Sequence, residues 1–175
     1  MNIEKTRKEL RLRRKQLTSD DRESASLKIA KNLVSSGILS DSKNIATYLQ
    51  NDGEVDPLYI SKDYVFKSCK FYITIINDKN KRTLKFGEFD QNQKFEKNKY
   101  GITEPINPSL VSIDLLDAIL FPLVGFDRTG NRIGMGGGFY DKTFEFVATK
   151  KKNKIKFIGL GSVSYTHLTL PTIDR

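Results

Sequence analysis

Asp117-Ala118-Ile119-Leu120-Phe121-Pro122-Leu123-Val124 is nearly all apolar. A strand that is apolar on both faces must be covered on both, as happens at the centre of a parallel sheet. A glycine-rich loop (130–138) follows, then a segment from about 139 to 149 with helical character, and then Lys154 to Leu160, which reads as another strand. The order strand, glycine loop, helix, strand predicts an α/β fold: a mainly parallel central sheet flanked by helices. The loop would lie beyond the carboxyl ends of the strands, where open α/β sheets bind ligands.

The rest of the chain supplies matching elements. Residues 3–17 read as a helix in which Ile3, Leu10 and Leu17 recur as a narrow apolar stripe. Arg7, Arg11 and Arg14 share a neighbouring face, which is either solvated or turned toward anions. Thr18 and Asp21 form a capping-box signal for a second helix that Gly37 can close. A short strand is expected over Asn44–Leu49, a polar loop over Gln50–Glu54, and a short helix over Val55–Lys67 with Pro57 in its first turn. Lys70–Ile76 has the β-branched and aromatic content of a strand, and residues 77–100 suggest an antiparallel excursion.

The formal net charge of +9 is uneven. Residues 1–15 and 142–162 each carry +5, whereas 16–141 sum to −1. Two basic segments around a balanced body suit a small polyanion about as well as a nucleic-acid backbone. Hydrophobic residues make up 38% of the 175, enough for a core, with no run long enough for a membrane span. The single cysteine, Cys69, excludes an internal disulfide and, with one histidine, a structural zinc site. Together with a charged N-terminus that lacks a signal-peptide core, this predicts a cytoplasmic protein with no membrane partner.

The chemistry is concentrated in Gly125–Asp141. Glycines at 134, 136, 137 and 138 let backbone N–H groups approach an anion, and the following helix adds its N-terminal partial charge. Arg132 contributes a full positive charge, and Asp141 could bind magnesium beside phosphates. The loop is neither a Walker A motif, because Asp141 precedes Lys142-Thr143, nor a dinucleotide fingerprint, because Phe139 stands three residues after Gly136. A phosphate loop is the expectation.

Pro122 to Asp141 resembles the 5-formyltetrahydrofolate cyclo-ligase (methenyltetrahydrofolate synthetase) family, matching its pattern P-x-x-x-F-D-x-x-G-x-R-[LI]-G-x-G-x-G-[YF]-Y-D throughout. Arg7 and Arg14, the Tyr48…Glu54-Val55 loop, Gly101-Ile102-Thr103-Glu104-Pro105 and Asp117 recur in the family's order. The resemblance implies MgATP-driven conversion of 5-formyltetrahydrofolate to 5,10-methenyltetrahydrofolate, releasing ADP and phosphate. The formyl oxygen attacks the γ-phosphate, N10 closes on the activated carbon, and phosphate leaves, so no protein side chain serves as covalent nucleophile. It implies ATP contacts from Arg7, Arg132, Ile133, Gly134, Met135, Gly136, Gly137, Gly138, Phe139 and Tyr140, and a magnesium ligand in Asp141. Folate contacts would come from Leu49, Glu54, Met135, Gly136, Gly137, Gly138 and Phe139. One departure is Ile3, where the family has lysine; Lys5 lies nearby. A monomer or homodimer is expected.

The domain is expected to span 1–162, with 163–175 a non-native tail. Val163 to Thr172 is what a transposase sequencing adaptor encodes when read in frame, so His167 is discounted as catalytic. On this reading, loss of the family's C-terminal segment leaves turnover weak or absent. The competing expectation is a basic nucleotide- or RNA-binding module without turnover, motivated by the two charged ends.

Overall fold

The computed structural model describes residues 2–78, 82–126, 131–149 and 155–162. Residues 127–130 of the loop, the Lys150-Lys151-Lys152 run and the tail 163–175 with His167 lie outside the described residues.

The elements in order are α1 (Ile3–Gln16), α2 (Ser19–Ser36), β1 (Asn44–Thr47), β2 (Lys70–Asp78), β3 (Thr83–Glu88), β4 (Phe95–Lys97), β5 (Thr103–Pro105), β6 (Leu110–Val111), β7 (Ala118–Pro122), β8 (Gly125–Phe126), β9 (Arg132–Ile133), α3 (Phe139–Thr149) and β10 (Lys156–Leu160). The main sheet runs β10-β7-β1-β2-β3-β6. β10, β7, β1 and β2 pair in parallel, whereas β3 and β6 extend the edge antiparallel. β4–β5 and β8–β9 are small separate hairpins.

Alternation along the central strands separates two cores. Ile45, Phe71, Ala118 and Leu120 face α2 through Leu33, together with Ile60 and Phe66. Ala46, Tyr72 and Ile119 face the other way, where Tyr140 and Phe144 of α3 pack against them. Both faces of β7 are therefore covered, which is why its sequence does not alternate. Asp117 fixes the register at its start: its carboxylate accepts the backbone N–H groups of Lys43 and Asn44, both at 2.8 Å.

Two expectations are corrected. Val55–Lys67 is not one helix but two 3₁₀ segments, Pro57–Lys62 and Tyr64–Phe66. Asp56 caps the first by accepting from Leu58 N–H, and Asp63 interrupts by accepting from Val65 N–H through its side chain. The apolar stripe of α1 also fails, since Ile3 is exposed and Leu17 only caps the helix. The buried residues of α1 are Leu10, packed on Val124 and Ile133, and Arg14. The face turned inward carries charge because it meets polar loops at the carboxyl ends of the strands.

The capping box of α2 is present, with Asp21 N–H donating to Thr18 Oγ1 at 3.1 Å and Asp21 Oδ2 accepting from Thr18 N–H. Thr18→Ala should therefore lower the unfolding free energy by about 1 kcal/mol. Urea denaturation should show the midpoint falling with an unchanged slope.

Candidate active site

Beyond β1 the chain makes a tight turn, Asn51-Asp52-Gly53-Glu54, closed by Glu54 N–H donating to the Asn51 carbonyl at 3.0 Å. Asp52 (φ 51°) and Gly53 (φ 76°) are both left-handed, as a type I′ turn requires, and Asp-Gly is a pair that tolerates it. The turn rests on α1 and presents two carboxylates to it. Asp52 Oδ2 accepts from Arg11 Nε at 2.8 Å and Arg14 Nη2 at 2.7 Å, and Lys15 Nζ lies 3.0 Å from Oδ1. Glu54 Oε2 accepts from Asn51 N–H at 3.1 Å, while Oε1 stands 3.8 Å from Arg14 Nη1.

Across the pocket, β9 and the glycine loop lead into α3. Arg7 Nε donates to the Gly134 carbonyl at 2.8 Å. Gly136 has φ 93°, and a Cβ there would lie 3.4 Å from the Arg7 guanidinium. Arg7 therefore supports the loop from behind. The Arg132 guanidinium lies 5.0 Å from the ring centroids of both Phe121 and Phe144 and pairs with Asp141. Stacking on two rings holds a cation in one place at little entropic cost.

Between the two sides lies a cavity of about 370 Å³. Leu49, Glu54, Arg132, Gly134, Met135, Gly136, Gly137, Gly138, Phe139, Tyr140 and Asp141 all line it. Ile133 and Arg7 do not. Ile133 points into the small core with Leu10 and Val124, because alternation on β9 sends Arg132 and Ile133 opposite ways. Arg7 lines a separate hollow of about 430 Å³ on α1 with Glu4, Lys8, Arg11, Leu12 and Lys15. Lys5 lies on neither surface.

Several lining residues carry no sequence-level expectation as contacts. Thr74 Oγ1 is 3.2 Å from the Tyr140 hydroxyl, Glu104 Oε1 accepts from Ile76 N–H at 2.7 Å, and Tyr100 stands edge-on to Phe139. Glu104 and Tyr100 lie in or beside the Gly101–Pro105 match, so the signal was there without a role attached. Gln50–Glu54 was expected only as a polar loop, not as a tight turn whose Asp52 partners Arg14.

Glu54 and Asp52 have opposite electrostatics. Burial raises the Glu54 carboxyl to about 7 against the pull of Arg14 and the Asn51 N–H. Partial burial also acts to raise Asp52, but hydrogen bonds from Arg11, Lys15 and Arg14 prevail and hold it well below the carboxylate range. Burial raises the Tyr140 phenol, which stays a neutral hydrogen-bonding group despite the Thr74 contact. Among the described residues no three His, Cys, Asp or Glu side chains cluster as a metal cage. No described helix is long and apolar enough to cross a membrane.

A mainly parallel sheet flanked by helices, with a pocket at its strand ends, places this chain among the α/β proteins that bind ligands beyond the carboxyl ends of their strands. The model of the 5-formyltetrahydrofolate cyclo-ligase family matches residues 2–172, and the chain belongs to that family. It is 31% identical over 150 residues to the 5-formyltetrahydrofolate cyclo-ligase of Haemophilus influenzae, covering 83% of this chain and 80% of that protein. The enzyme of that name from Escherichia coli K12 is 27% identical over 138 residues, 78% and 76% of the two chains. The solution structure of Aquifex aeolicus 5,10-methenyltetrahydrofolate synthetase superposes with a TM-score of 0.73 at 25% identity, covering 100% of this chain and 86% of that one. A synthetase structure from Mycoplasma pneumoniae shares the fold, with a TM-score of 0.65 at 20% identity over 83% and 78% of the chains.

Because the folded Glu54 carboxyl keeps its proton up to about 7 and the unfolded one loses it near 4.5, folding takes up a proton across that interval. The associated stability is full below the unfolded value and is lost as pH rises through the folded one. Asp52 acts oppositely, its contribution present above 3.8 and lost as pH falls below that. Urea titrations between about pH 5 and 8 should show stability falling with pH, and Glu54→Gln should flatten that fall. An identical slope in the variant would contradict it.

Proposed function

We propose that this chain closes 5-formyltetrahydrofolate to 5,10-methenyltetrahydrofolate at the expense of ATP, releasing ADP and phosphate, as a cytoplasmic monomer or homodimer. The observation that carries the reading is the convergence of the Glu54 carboxyl and the Gly134–Gly138 loop on one cavity of about 370 Å³. A planar heterocycle bearing N–H donors needs a buried acceptor on one side, and a polyphosphate needs backbone N–H groups and a cation on the other.

The folate supplies the reacting atoms: its formyl oxygen takes the γ-phosphoryl group, its N10 forms the new C–N bond, and the phosphate carries away the oxygen. The protein's part is to align these groups and hold the charge that develops. In this reading Arg132 and the loop N–H groups meet the phosphates, with Met135, Phe139 and Tyr140 shaping the wall. Glu54 and Leu49 hold the pterin side, while the same loop residues, Met135 to Phe139, bound the folate. Arg7 acts from behind the loop and Ile133 through its backbone alone. Magnesium fits as an ion brought with ATP: it takes one or two carboxylates beside substrate phosphates, and Asp141 offers one exposed carboxylate at the cavity edge. When bound it would neutralise phosphate charge. Much of the basic charge of α1 is already committed to Asp52 and Gly134, which leaves less of it for an RNA backbone.

Incubating the full chain with MgATP and 5-formyltetrahydrofolate should raise methenyl absorbance, with one ADP formed per methenyl group, and at a low rate if 163–175 is the non-native tail expected from the sequence. ADP release without methenyl formation would overturn the reading. Arg132→Ala should weaken ATP binding roughly 10- to 100-fold while changing folate binding little, since a charge-assisted contact is lost. Glu54→Gln should do the reverse, weakening 5-formyltetrahydrofolate roughly 10-fold. Calorimetric titration of each ligand into each variant separates the two, and equal losses for both ligands would contradict the assignment.

A further inference from the structure

We propose that Arg14 is a positioning residue for the folate side of the pocket, holding the Glu54 carboxyl at the cavity wall through its charge without touching substrate. The inference rests on the reading of Glu54 as the pterin contact.

Arg14 is fully buried in α1. Its side chain has five N–H donors. Nη2 donates to Asp52 Oδ2 at 2.7 Å and lies 3.6 Å from Met135 Sδ, whereas Nε and Nη1 have no hydrogen-bond partner. Nη1 stands 3.8 Å from Glu54 Oε1, too far for a hydrogen bond and close enough for strong attraction in a dry setting. Packing alone does not account for an arginine here. A buried ion pair is commonly no more stable than well-packed apolar residues of similar volume, and Leu10, one turn earlier, already shows the apolar solution. What the guanidinium adds is a link between α1, the turn at 51–54 and Met135 of the glycine loop. The backbone of the turn passes close to it as well, since a Cβ on Gly53 would lie 3.5 Å from the Arg14 carbonyl.

The groups that act on Glu54 are Arg14 and Arg11 from α1 and, in its own turn, the Asn51 N–H and Asp52; Glu54 in turn helps raise the Tyr140 phenol of α3. Asp52 would still have Arg11 and Lys15 if Arg14 were replaced, but Glu54 would lose its nearest cation.

The test uses the full chain labelled with ¹³C at glutamate side chains, the Glu54 signal being the one lost in Glu54→Gln. Arg14→Met should raise the Glu54 titration midpoint by about one pH unit or more, and Arg14→Lys by less. Calorimetry should show 5-formyltetrahydrofolate weakened roughly 10-fold in Arg14→Met with ATP affinity nearly unchanged, and partial recovery in Arg14→Lys. A Glu54 midpoint that does not move in either variant overturns the inference and leaves Arg14 a packing residue. Should Arg14→Met fail to fold, the titration of Arg14→Gln, which also removes the charge, decides on the same criterion. A wild-type chain that binds no 5-formyltetrahydrofolate removes the functional reading instead, and the titration still decides what Arg14 does to Glu54.

Discussion

A guanidinium with no access to water governs how this molecule is assembled at its working end. Arg14 cannot stay buried without an anion beside it, and Asp52 is supplied by a turn that only a left-handed pair such as Asp-Gly makes easily. Once the turn is seated on α1, Glu54 has one place to go, inward. The helix that holds Arg14 also carries Arg7, which fixes the Gly134 carbonyl on the opposite wall. Two loops eighty residues apart in sequence are thereby referred to one rigid element.

The sheet contributes the other half of the arrangement. Its central strands are apolar on both faces, so they must lie between α2 and α3, and parallel strands so covered present their carboxyl ends together. Phe121 lies where β7 reaches that rim, and its ring with that of Phe144 forms the seat on which Arg132 lies. The cation therefore depends on the hydrophobic core for its position, and only its reach toward the cavity is set by the loop.

Much of this was legible before any coordinates. Local rules with a short reach were dependable: the Thr18–Asp21 box, the Gly37 stop, the doubly buried strand. What escaped was decided by tertiary environment. The spacing of Ile3, Leu10 and Leu17 suggested an apolar seam, but α1 faces polar loops, so Arg14 rather than Leu17 became the buried partner. Pro57 suggested a helix that Asp63 then broke by hydrogen bonding to its own backbone neighbours. Ile133 shared the glycine loop's pattern, yet strand alternation turned it away from its neighbour Arg132. The candidate pocket residues were found by likeness to a family pattern, whereas Arg14 with Asp52, a contact between residues 38 apart, has no local signature.

The register anchor at Asp117 bears on how binding and folding are linked. Its carboxylate ties β7 to the chain entering β1, across sequence separations of 74 and 73, and the pocket walls are drawn from the segment after β1, β2, β3, β5, β7, the glycine loop and α3. No contiguous fragment holds more than part of the cavity, so these long-range pairings must close before any of it exists. Occupancy and folding are then one equilibrium: a ligand at a hundred times its dissociation constant adds roughly 2.7 kcal/mol against global unfolding. Such a molecule gains resistance to heat and proteolysis with the logarithm of the supply of its ligands.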